Sequence, residues 1–577
     1  MTRRKKKTQP VANKAQPVAK EAQATLKATG PSTPRRRSRW WEASLVALLF
    51  MALAMPLAYV HSVRWISGGG DTAFLTELAH NIAFRGVPYT QLNTSINAAE
   101  LTWGAMAEDV CQSPLAKPNP PEMNQFKRHT YLILYALAPL LWIMDPSTAL
   151  PSAMVGSFMI LLLAMYLLLR ERGVAIWGAL LFVGALTLFP VWSFGVQGQI
   201  YADRLFIGFA AICLYLLSRE EPPVGWIILT AALAASVIER GAVILGGALI
   251  AYAVIYAPSQ PRKKTKLVLA LGGGIFLIAF MILKFYLESP YYQGFVSGLF
   301  LGFPHLLQNP DFVAKLKIFL VFNLGLFGCM AIFAPRPFFL ALLALLPNIM
   351  GTMGGAEKTG WLSHYHSIYL PFIVWAAAMG FANLWQMAQR WTLRVPLAGA
   401  VLSIGCIAMI TNPGDNLSDP FFSTKYAKKN VWPVTADMLG DYLDPKKDPQ
   451  ATQIGHTLRR YHELREAIPA GASVTTLENA MPSLILNHEV HYYPIAIESA
   501  DYALITATPL EAGGFNYGGE VLYRGADQKK ILNECLNKRL KAAGYNVDAP
   551  KKMLGGYYLL TRNKATIPAT FGSDSAL

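Results

Sequence analysis

Ionisable residues of this chain cluster at the ends of its apolar segments, where such residues are costly and usually functional. A carboxylate, Asp71, opens a stretch with helical periodicity, and several bases accompany it. A carboxylate can accept a proton from an attacking hydroxyl, and cationic side chains hold a phosphate or diphosphate. This combination predicts a site for an anionic, lipid-linked substrate. The candidate residues for the phosphate are Lys127, Arg128, His129, Arg204, Arg240, Lys284, His364, Tyr365 and His366.

The main candidates also have purely structural explanations. Asp71 follows three glycines and could cap the N-terminus of its own helix. Glu239 and Arg240 could pair with each other in a turn, and Lys284 could extend its amine to the lipid headgroups. The sequence leaves these alternatives open.

Composition excludes a soluble globular enzyme and a disordered protein. Of the 577 residues, 53% are hydrophobic and 15% are charged, against about 25% charged in a soluble domain. The net charge of +16 is concentrated in residues 1–39, which carry twelve Lys or Arg and one acid. This tail predicts a disordered, cytoplasmic segment that contacts anionic lipid rather than nucleic acid.

Apolar length and flanking charge predict about eleven transmembrane helices with a cytoplasmic N-terminus, the first helix being an uncleaved anchor. With this number, the connectors rich in Lys and Arg all lie on the cytoplasmic side. The apolar segment 129–144 is too short to be a span, so we expect an interfacial or re-entrant helix there. The predicted spans are 43–63, 151–169, 174–194, 204–218, 224–238, 241–257, 267–286, 316–334, 338–353, 366–385 and 395–411.

Two large polar regions then face the other side of the membrane. They are the first loop, 64–150, within a transmembrane domain at 40–412, and the tail, 413–577. Alternating apolar residues predict strands in the tail, and two amphipathic stretches predict helices, which is typical of a small α/β domain. The expected strands lie near 474–477, 490–495, 502–508 and 557–562, and the expected helices at 459–468 and 528–544. In the first loop, the helical spacing of apolar residues from Asp71 to Phe84 predicts a helix whose apolar face lies on the membrane.

Metal-binding patterns are weak. The five cysteines have no metal-ligand spacing, and His364 with His366 is a short pair without an adjacent carboxylate. We therefore expect no cofactor; a divalent metal stays open as an alternative that these residues do not indicate. Cys111 and Cys535 fall in the two polar regions and could form a disulfide or remain free thiols.

The order and spacing of several motifs resemble the GT-C glycosyltransferases and, more closely, the bacterial membrane proteins called domain of unknown function 2079. The first loop carries an acid-led motif and a His-led apolar segment, and the other motifs lie in the tenth span and the tail. They are GGDTAFLTELAHNIAFRG (69–86), HTYLILYALAPLLWI (129–143), SHYHSIYLPF (363–372), ELREAIPAGASVTTLENAMPSLILNHEVHYYP (463–494), ADYALI (500–505) and GGYYLLTR (555–562).

The resemblance implies an inner-membrane enzyme that transfers a sugar from a polyprenyl-phosphate donor to an envelope lipid, glycan or protein on the periplasmic face. Asp71 would be the general base of an inverting transfer, and the phosphate-binding candidates would stabilise the leaving group. Where that family has a second acid, position 76 is Thr, so Glu77 is the nearest substitute. The family's Lys-Glu-Asp turn is Glu239-Arg240-Gly241 in this chain.

Two other functions compete with this enzyme. A transporter or flippase of a lipid-linked or anionic substrate would be expected to show internal repeats and charges in the middle of its spans; the sequence shows no repeat and places most charges at span ends. A non-catalytic subunit of an envelope polysaccharide complex would use the tail for docking.

Overall fold

A computed structural model describes residues 40–66, 68–104, 107–188, 201–288, 327–350, 367–390, 393–411, 431–509, 515–517 and 526–563. The chain divides inside its first helix into two compact units, Met1–Leu48 and Leu49–Leu577. All contacts described below lie within the second unit.

The described residues form helices in chain order from α1 to α18. They are α1 (Trp40–Trp65), α2 (Gly70–Arg85), α3 (Leu92–Gly104), α4 (Ala107–Gln112), α5 (Ile133–Leu141), α6 (Pro146–Glu171), α7 (Ile176–Thr187), α8 (Leu205–Leu217), α9 (Val224–Ala235), α10 (Glu239–Tyr256), α11 (Arg262–Met281), α12 (Pro335–Met350), α13 (Leu370–Arg390), α14 (Arg394–Thr411), α15 (Val431–Leu443), α16 (Gln453–Ala467), α17 (Met481–Leu484) and α18 (Ala526–Ala542).

Within these ranges, five helices are long and apolar enough to cross a membrane. The chain is therefore a helical membrane protein, as its composition predicts. Three more apolar helices are shorter. The prediction of eleven crossings is not decided by these helices, and most of the predicted span 316–334 lies outside the described residues. The five long helices are Trp41–Trp65, Pro146–Glu171, Glu239–Ser259, Arg262–Tyr286 and Leu370–Ala388.

The apolar segment 129–144 contains the short helix α5. Its 9 residues rise about 14 Å at 1.5 Å per residue, roughly half of a 30 Å hydrocarbon core. Helix α5 therefore cannot cross a membrane alone, which agrees with the expectation of an interfacial or re-entrant helix.

Helix α2 carries Asp71 and lies between α5 and the tail. It ends at Gly86, whose φ of 70° lies in the left-handed region that glycine adopts readily. The expectation that its apolar face lies on the membrane is wrong, because Leu78 and Ile82 are buried inside the protein. Helix α2 packs against α5 and the tail helix α17, so its apolar face holds protein elements together.

The tail contains a six-stranded sheet in which β3 is parallel to both β4 and β5, and β8 is antiparallel to β5. Strands are present at each position where alternation predicts one. A small two-stranded ladder, β1 with β2, lies in the first loop. The strands are β1 (Tyr89–Thr90), β2 (Met123–Asn124), β3 (Ser473–Thr476), β4 (Glu489–Tyr492), β5 (Tyr502–Pro509), β6 (Phe515–Tyr517), β7 (Lys551–Lys552) and β8 (Tyr557–Thr561).

The first loop and the tail share one hydrophobic core. Leu92 and Val110 of the loop belong to the same buried cluster as Leu504 and Leu536 of the tail. At the edge of this core the backbone N–H of Tyr492 donates to the Ser95 hydroxyl at 2.7 Å. The two polar regions are therefore parts of one folded body.

A disulfide joins the same two regions. Cys111 of α4 is bonded to Cys535 of α18, with their Cα atoms 5.6 Å apart. Beside it, the Arg539 guanidinium donates to the Val110 carbonyl at 2.9 Å and pairs with Glu498. Of the two states that the sequence leaves open for these cysteines, the structure has the disulfide.

Candidate functional site

Glu239 starts helix α10, and its buried carboxylate binds the segment that precedes α5. His129 Nδ1 lies 3.0 Å from Glu239 Oε1. The backbone N–H and the hydroxyl of Thr130 donate to Glu239 Oε2 at 2.9 and 3.1 Å. At the first residue of α5, the N–H of Ile133 donates to the Ser236 carbonyl at 2.8 Å. Glu239 therefore fixes His129 and its neighbours to the turn between α9 and α10.

Arg240 forms a second buried pair with Asp203. Arg240 Nη2 donates to Asp203 Oδ2 at 3.4 Å, and both side chains are almost fully removed from solvent. A buried charge is costly unless it is paired, so this contact holds the start of α10 beside the turn before α8. Glu239 and Arg240 thus each pair with a residue of another segment, so their role is not confined to their own turn.

The turn that carries Asp203 is held against helix α6. Ser157 Oγ donates to the Arg204 carbonyl at 3.0 Å and accepts from the Gly208 N–H at 2.8 Å. A Cβ at position 208 would lie 2.7 Å from the Ser157 carbonyl oxygen, so the approach of the two helices requires glycine. This contact places the residues before α8 at a fixed height on α6.

Tyr131 lies where these charges meet. Burial, together with the nearby carboxylates of Asp203, Glu239 and Asp71, raises the pKa of the Tyr131 phenol well above its usual value. Arg240 acts on the same phenol in the opposite direction. Tyr131 is thus within electrostatic range of four charged residues from three parts of the chain.

Asp71 lies in the first turn of α2 with its side chain exposed. The N-cap of this helix is Gly69, so the alternative that Asp71 is the N-cap is wrong. The positive end of the helix dipole favours a carboxylate in this turn. Asp71 is therefore placed as an exposed anion beside the buried cluster.

Two tail residues hold the glycine segment that leads to Asp71. Glu478 Oε1 accepts a hydrogen bond from the Gly70 N–H at 2.9 Å. The Ser483 hydroxyl donates to the Ile66 carbonyl at 2.9 Å. The tail thus binds the chain on both sides of Gly68 and Gly69, and it places a second carboxylate at the helix end that carries Asp71.

Glu77, the other predicted acid, has a different environment. Its two carboxylate oxygens accept the backbone N–H groups of Gln91 and Leu92 at 2.9 and 3.1 Å. Both N–H groups lie at the N-terminus of α3, where a helix leaves its N–H groups without a partner, so the Glu77 carboxylate of α2 caps that helix. Burial raises the pKa of Glu77 to about 7, although the two backbone hydrogen bonds act in the opposite direction. Its catalytic role stays a prediction, and its contacts are those of a structural residue.

The remaining bases are distributed around this cluster. Arg204 is buried and lies within electrostatic range of His61 in α1. Lys127 pairs with Glu288 at 2.9 Å, which ties the segment before α5 to the chain after α11. Arg128 is half-buried, whereas Lys284 is exposed beside the Phe285 ring.

His364, Tyr365 and His366 lie outside the described residues. Of the candidates that are described, Asp71, His129 and Arg240 lie around Tyr131, whereas Lys284 lies at the periphery.

Sequence reasoning missed three participants in this arrangement. Thr130 and Tyr131 follow His129 directly, and their position inside a motif could have drawn attention to them. Glu478 is far from Asp71 along the chain, and a single sequence contains no pattern that pairs them.

No protein family model matches this chain, and no curated protein is significantly similar to it in sequence. The likeness to GT-C glycosyltransferases thus stays a prediction from the motifs quoted above. Among the residues that the structure describes, no group of three or more His, Cys, Asp or Glu side chains is arranged to hold a metal ion.

Proposed function

We propose that this protein is a membrane glycosyltransferase that moves a sugar from a polyprenyl-phosphate donor to an acceptor hydroxyl of the cell envelope, with inversion. The observation that supports this function best is the pair of buried contacts, Glu239 with His129 and Arg240 with Asp203, beside Tyr131, a residue whose phenol is also influenced by the charge of Asp71. An exposed acid beside buried, paired charges is the arrangement that a hydroxyl nucleophile and a phosphate leaving group require.

In this mechanism Asp71 is the general base. The acceptor hydroxyl attacks the anomeric carbon of the donor from the face opposite the phosphate, and its proton passes to the Asp71 carboxylate. The bond between the anomeric carbon and the phosphate oxygen breaks, and its electron pair leaves with the polyprenyl phosphate. The helix dipole favours a negative charge at Asp71, as a base requires.

Arg240 is the principal residue for the leaving phosphate. A guanidinium has five N–H donors, so Arg240 can hold Asp203 and a phosphate at the same time. The pair with Asp203 keeps the guanidinium in one orientation, and such preorganised charge is the larger catalytic contribution. His129 and Arg204 are further phosphate contacts in this proposal. Lys127, Arg128, Lys284, His364, Tyr365 and His366 complete the set, and neither a metal nor another cofactor is invoked.

We further propose that the site faces the periplasm of a bacterial inner membrane, with eleven crossings and a cytoplasmic N-terminus. Because the first loop and the tail share a core, an even number of crossings must separate them, and the ten predicted after residue 150 satisfy this requirement. The Cys111–Cys535 disulfide is typical of an oxidising compartment such as the periplasm. On this topology the tail is a periplasmic α/β domain that shapes the acceptor site.

A mass-spectrometric profile of envelope lipids and glycans tests the function. A deletion strain is complemented with wild type, with Asp71→Asn or with Asp109→Asn, at matched protein levels. Asp109 is an exposed acid in the first turn of α4 and serves as the matched control. We expect wild type and Asp109→Asn to restore a missing mass and Asp71→Asn to leave it absent.

The result that would contradict the enzyme is full restoration by Asp71→Asn. Flux of a polyprenyl-phosphate sugar across proteoliposomes would then favour the flippase, and a stable partner in a pull-down would favour the non-catalytic subunit.

A further inference from the structure

A cleft lies at the end of helix α2 opposite to Asp71. Its volume is about 410 Å³, and it is bordered by α2, the connection from α5 to α6, helix α16 and the chain after α17. Phe84 is 13 residues beyond Asp71 on α2, which corresponds to about 20 Å along the helix axis. The cleft is therefore separate from the charge cluster at Tyr131. The lining residues that matter most are Phe84, Trp142, Asp145, Tyr461, Arg465 and Asn487.

Two aromatic rings at this cleft are exposed, with no other part of the described chain covering most of their surface. Trp142 is 61% exposed and Phe84 56% exposed. The Trp142 indole does not rotate freely, because its Nε1 donates to the Ala83 carbonyl at 2.9 Å. A ring that is already fixed loses little conformational entropy when a ligand stacks on it.

The polar groups of the cleft are equally well placed. Arg465 Nη1 donates to the Tyr461 hydroxyl at 2.7 Å, and the guanidinium lies 5.3 Å from the centre of that ring. With its amide turned to satisfy both groups, Asn487 accepts from Arg465 Nε and Nη2 at 3.3 and 3.0 Å. Across the cleft, Asp145 precedes α6, and its carboxylate does not cap that helix.

This mixture favours one class of ligand. A phosphate or an anionic lipid headgroup would gain from Arg465 but would be repelled by Asp145. A sugar is uncharged: its C–H faces stack on aromatic rings, and its hydroxyls both donate and accept hydrogen bonds. The volume and the lining, which combines aromatic and aliphatic side chains with a few polar groups, also match an ordinary small-molecule site.

We propose that this cleft binds a saccharide unit of the acceptor glycan. This inference rests on the proposed function, because it assumes an acceptor that reaches Asp71 at the other end of α2. An acceptor that occupies both places must extend along the helix, so the acceptor class is an oligosaccharide or a glycan chain rather than a single sugar.

Saturation-transfer NMR on the purified full-length protein in nanodiscs tests the cleft without turnover. The probes are three neutral hexasaccharides, maltohexaose, cellohexaose and chitohexaose, at millimolar concentration. The cleft variants are Trp142→Ala and Arg465→Gln. The matched controls are Trp226→Ala, at a Trp that is 59% exposed at the start of α9, and Arg459→Gln, at an exposed Arg of the same helix α16.

We expect transfer to at least one probe in wild type and in both controls, and a loss of at least about tenfold in both cleft variants, equivalent to about 1.4 kcal/mol. Absence of binding by all three probes, or equal binding by the Trp142 variant, would overturn the proposal. Displacement of the bound probe by inorganic phosphate would also overturn it, in favour of an anion site. The binding signal needs no turnover, so a cleft that binds the probe while Asp71→Asn restores the missing envelope mass contradicts the catalytic proposal alone, and the two failures are distinguishable.

Discussion

The backbone N–H of Gly70 donates a hydrogen bond to the Glu478 carboxylate, although 408 residues separate the two. Gly70 directly precedes Asp71, so the tail controls where the proposed base lies. The tail is thus part of the site and not only its neighbour.

Glu478 is expected to be a positioning residue. Glu478→Ala removes the acceptor for the Gly70 N–H and should reduce transfer about 100-fold, since a shift near 1 Å in a reacting group has an effect of that size. Glu478→Gln keeps an oxygen acceptor and should retain most activity. Transfer rates of both variants, with exposed Asn479→Ala as control, measure this. Equal loss in the Gln and Ala variants would show instead that the charge of Glu478 takes part in the reaction.

Arg240 is expected to act in both stability and chemistry, and a double variant separates these roles. Arg240→Gln removes the guanidinium that pairs with the buried Asp203 carboxylate and should lower the free energy of unfolding by about 3–5 kcal/mol. Adding Asp203→Asn removes the buried negative charge and should recover most of that loss.

Denaturant unfolding and transfer assays on the same preparations check both parts. Activity should stay absent in the double variant, because the phosphate has lost its guanidinium. An active double variant would exclude Arg240 from the reaction.

Glu77 should make stability depend on pH. Its pKa is about 7 in the folded protein against an ordinary value of 4.5. Between these values the folded state keeps a proton that the unfolded state loses, so stability falls as pH rises from about 4.5 to about 7. At 1.36 kcal/mol per unit, the difference between the two pKa values corresponds to a total loss of about 3 kcal/mol in the free energy of unfolding.

Thermal unfolding at about pH 5 and about pH 8, for wild type and Glu77→Gln, measures this change. Glu77→Gln lacks the titrating group and should show a smaller difference in Tm between the two conditions. An unchanged difference would mean that another group causes the dependence.

The disulfide should stabilise the body formed by the first loop and the tail. Cys111→Ser should lower the free energy of unfolding by about 2–5 kcal/mol, whereas Cys329→Ser, at a cysteine that is not part of a disulfide, should leave the response to reductant unchanged. Alkylation of the denatured, unreduced protein should modify three of its five cysteines. Modification of all five would contradict the bond.

The proposed topology can be tested by reporter fusions. Alkaline phosphatase, which folds only in an oxidising compartment, should be active when fused after Asn563 and inactive when fused after Gln260. A cytoplasmic fluorescent reporter should give the reverse pattern. Activity of the phosphatase at Gln260 would reverse the orientation or change the number of crossings.

Hydropathy and the regular spacing of apolar residues were sufficient to predict a membrane protein and the positions of the strands in the tail. They work because burial in lipid requires long apolar runs, and burial of one face of a sheet requires alternating apolar residues. The same patterns failed for the apolar face of α2, since an amphipathic helix has the same period whether it rests on lipid or on protein. Burial of Leu78 and Ile82 comes from α5 and α17, and neither contact is visible in local sequence.

The candidate site was predictable in part for a similar reason. Charges at span ends are rare and costly, so Asp71, His129 and Arg240 could be selected by type and place. Their partners could not be assigned: the sequence left open a Glu239–Arg240 pair, and the structure pairs Glu239 with His129 and Arg240 with Asp203. Glu77 was selected as the acid nearest to position 76, and its capping of α3 could not be foreseen because such a contact has no local signature.

The shared core of loop and tail also constrains how the protein is made. At about 5–20 residues per second, a ribosome needs roughly 20–80 s to produce the 424 residues between Cys111 and Cys535. On the proposed topology, the loop has by then left the membrane insertion machinery, while Leu92 and Val110 still lack the apolar partners they pack against. The proposed membrane helices between loop and tail must then all be inserted before this core can close. If one of them fails to insert, loop and tail end on opposite sides of the membrane, and the core cannot form.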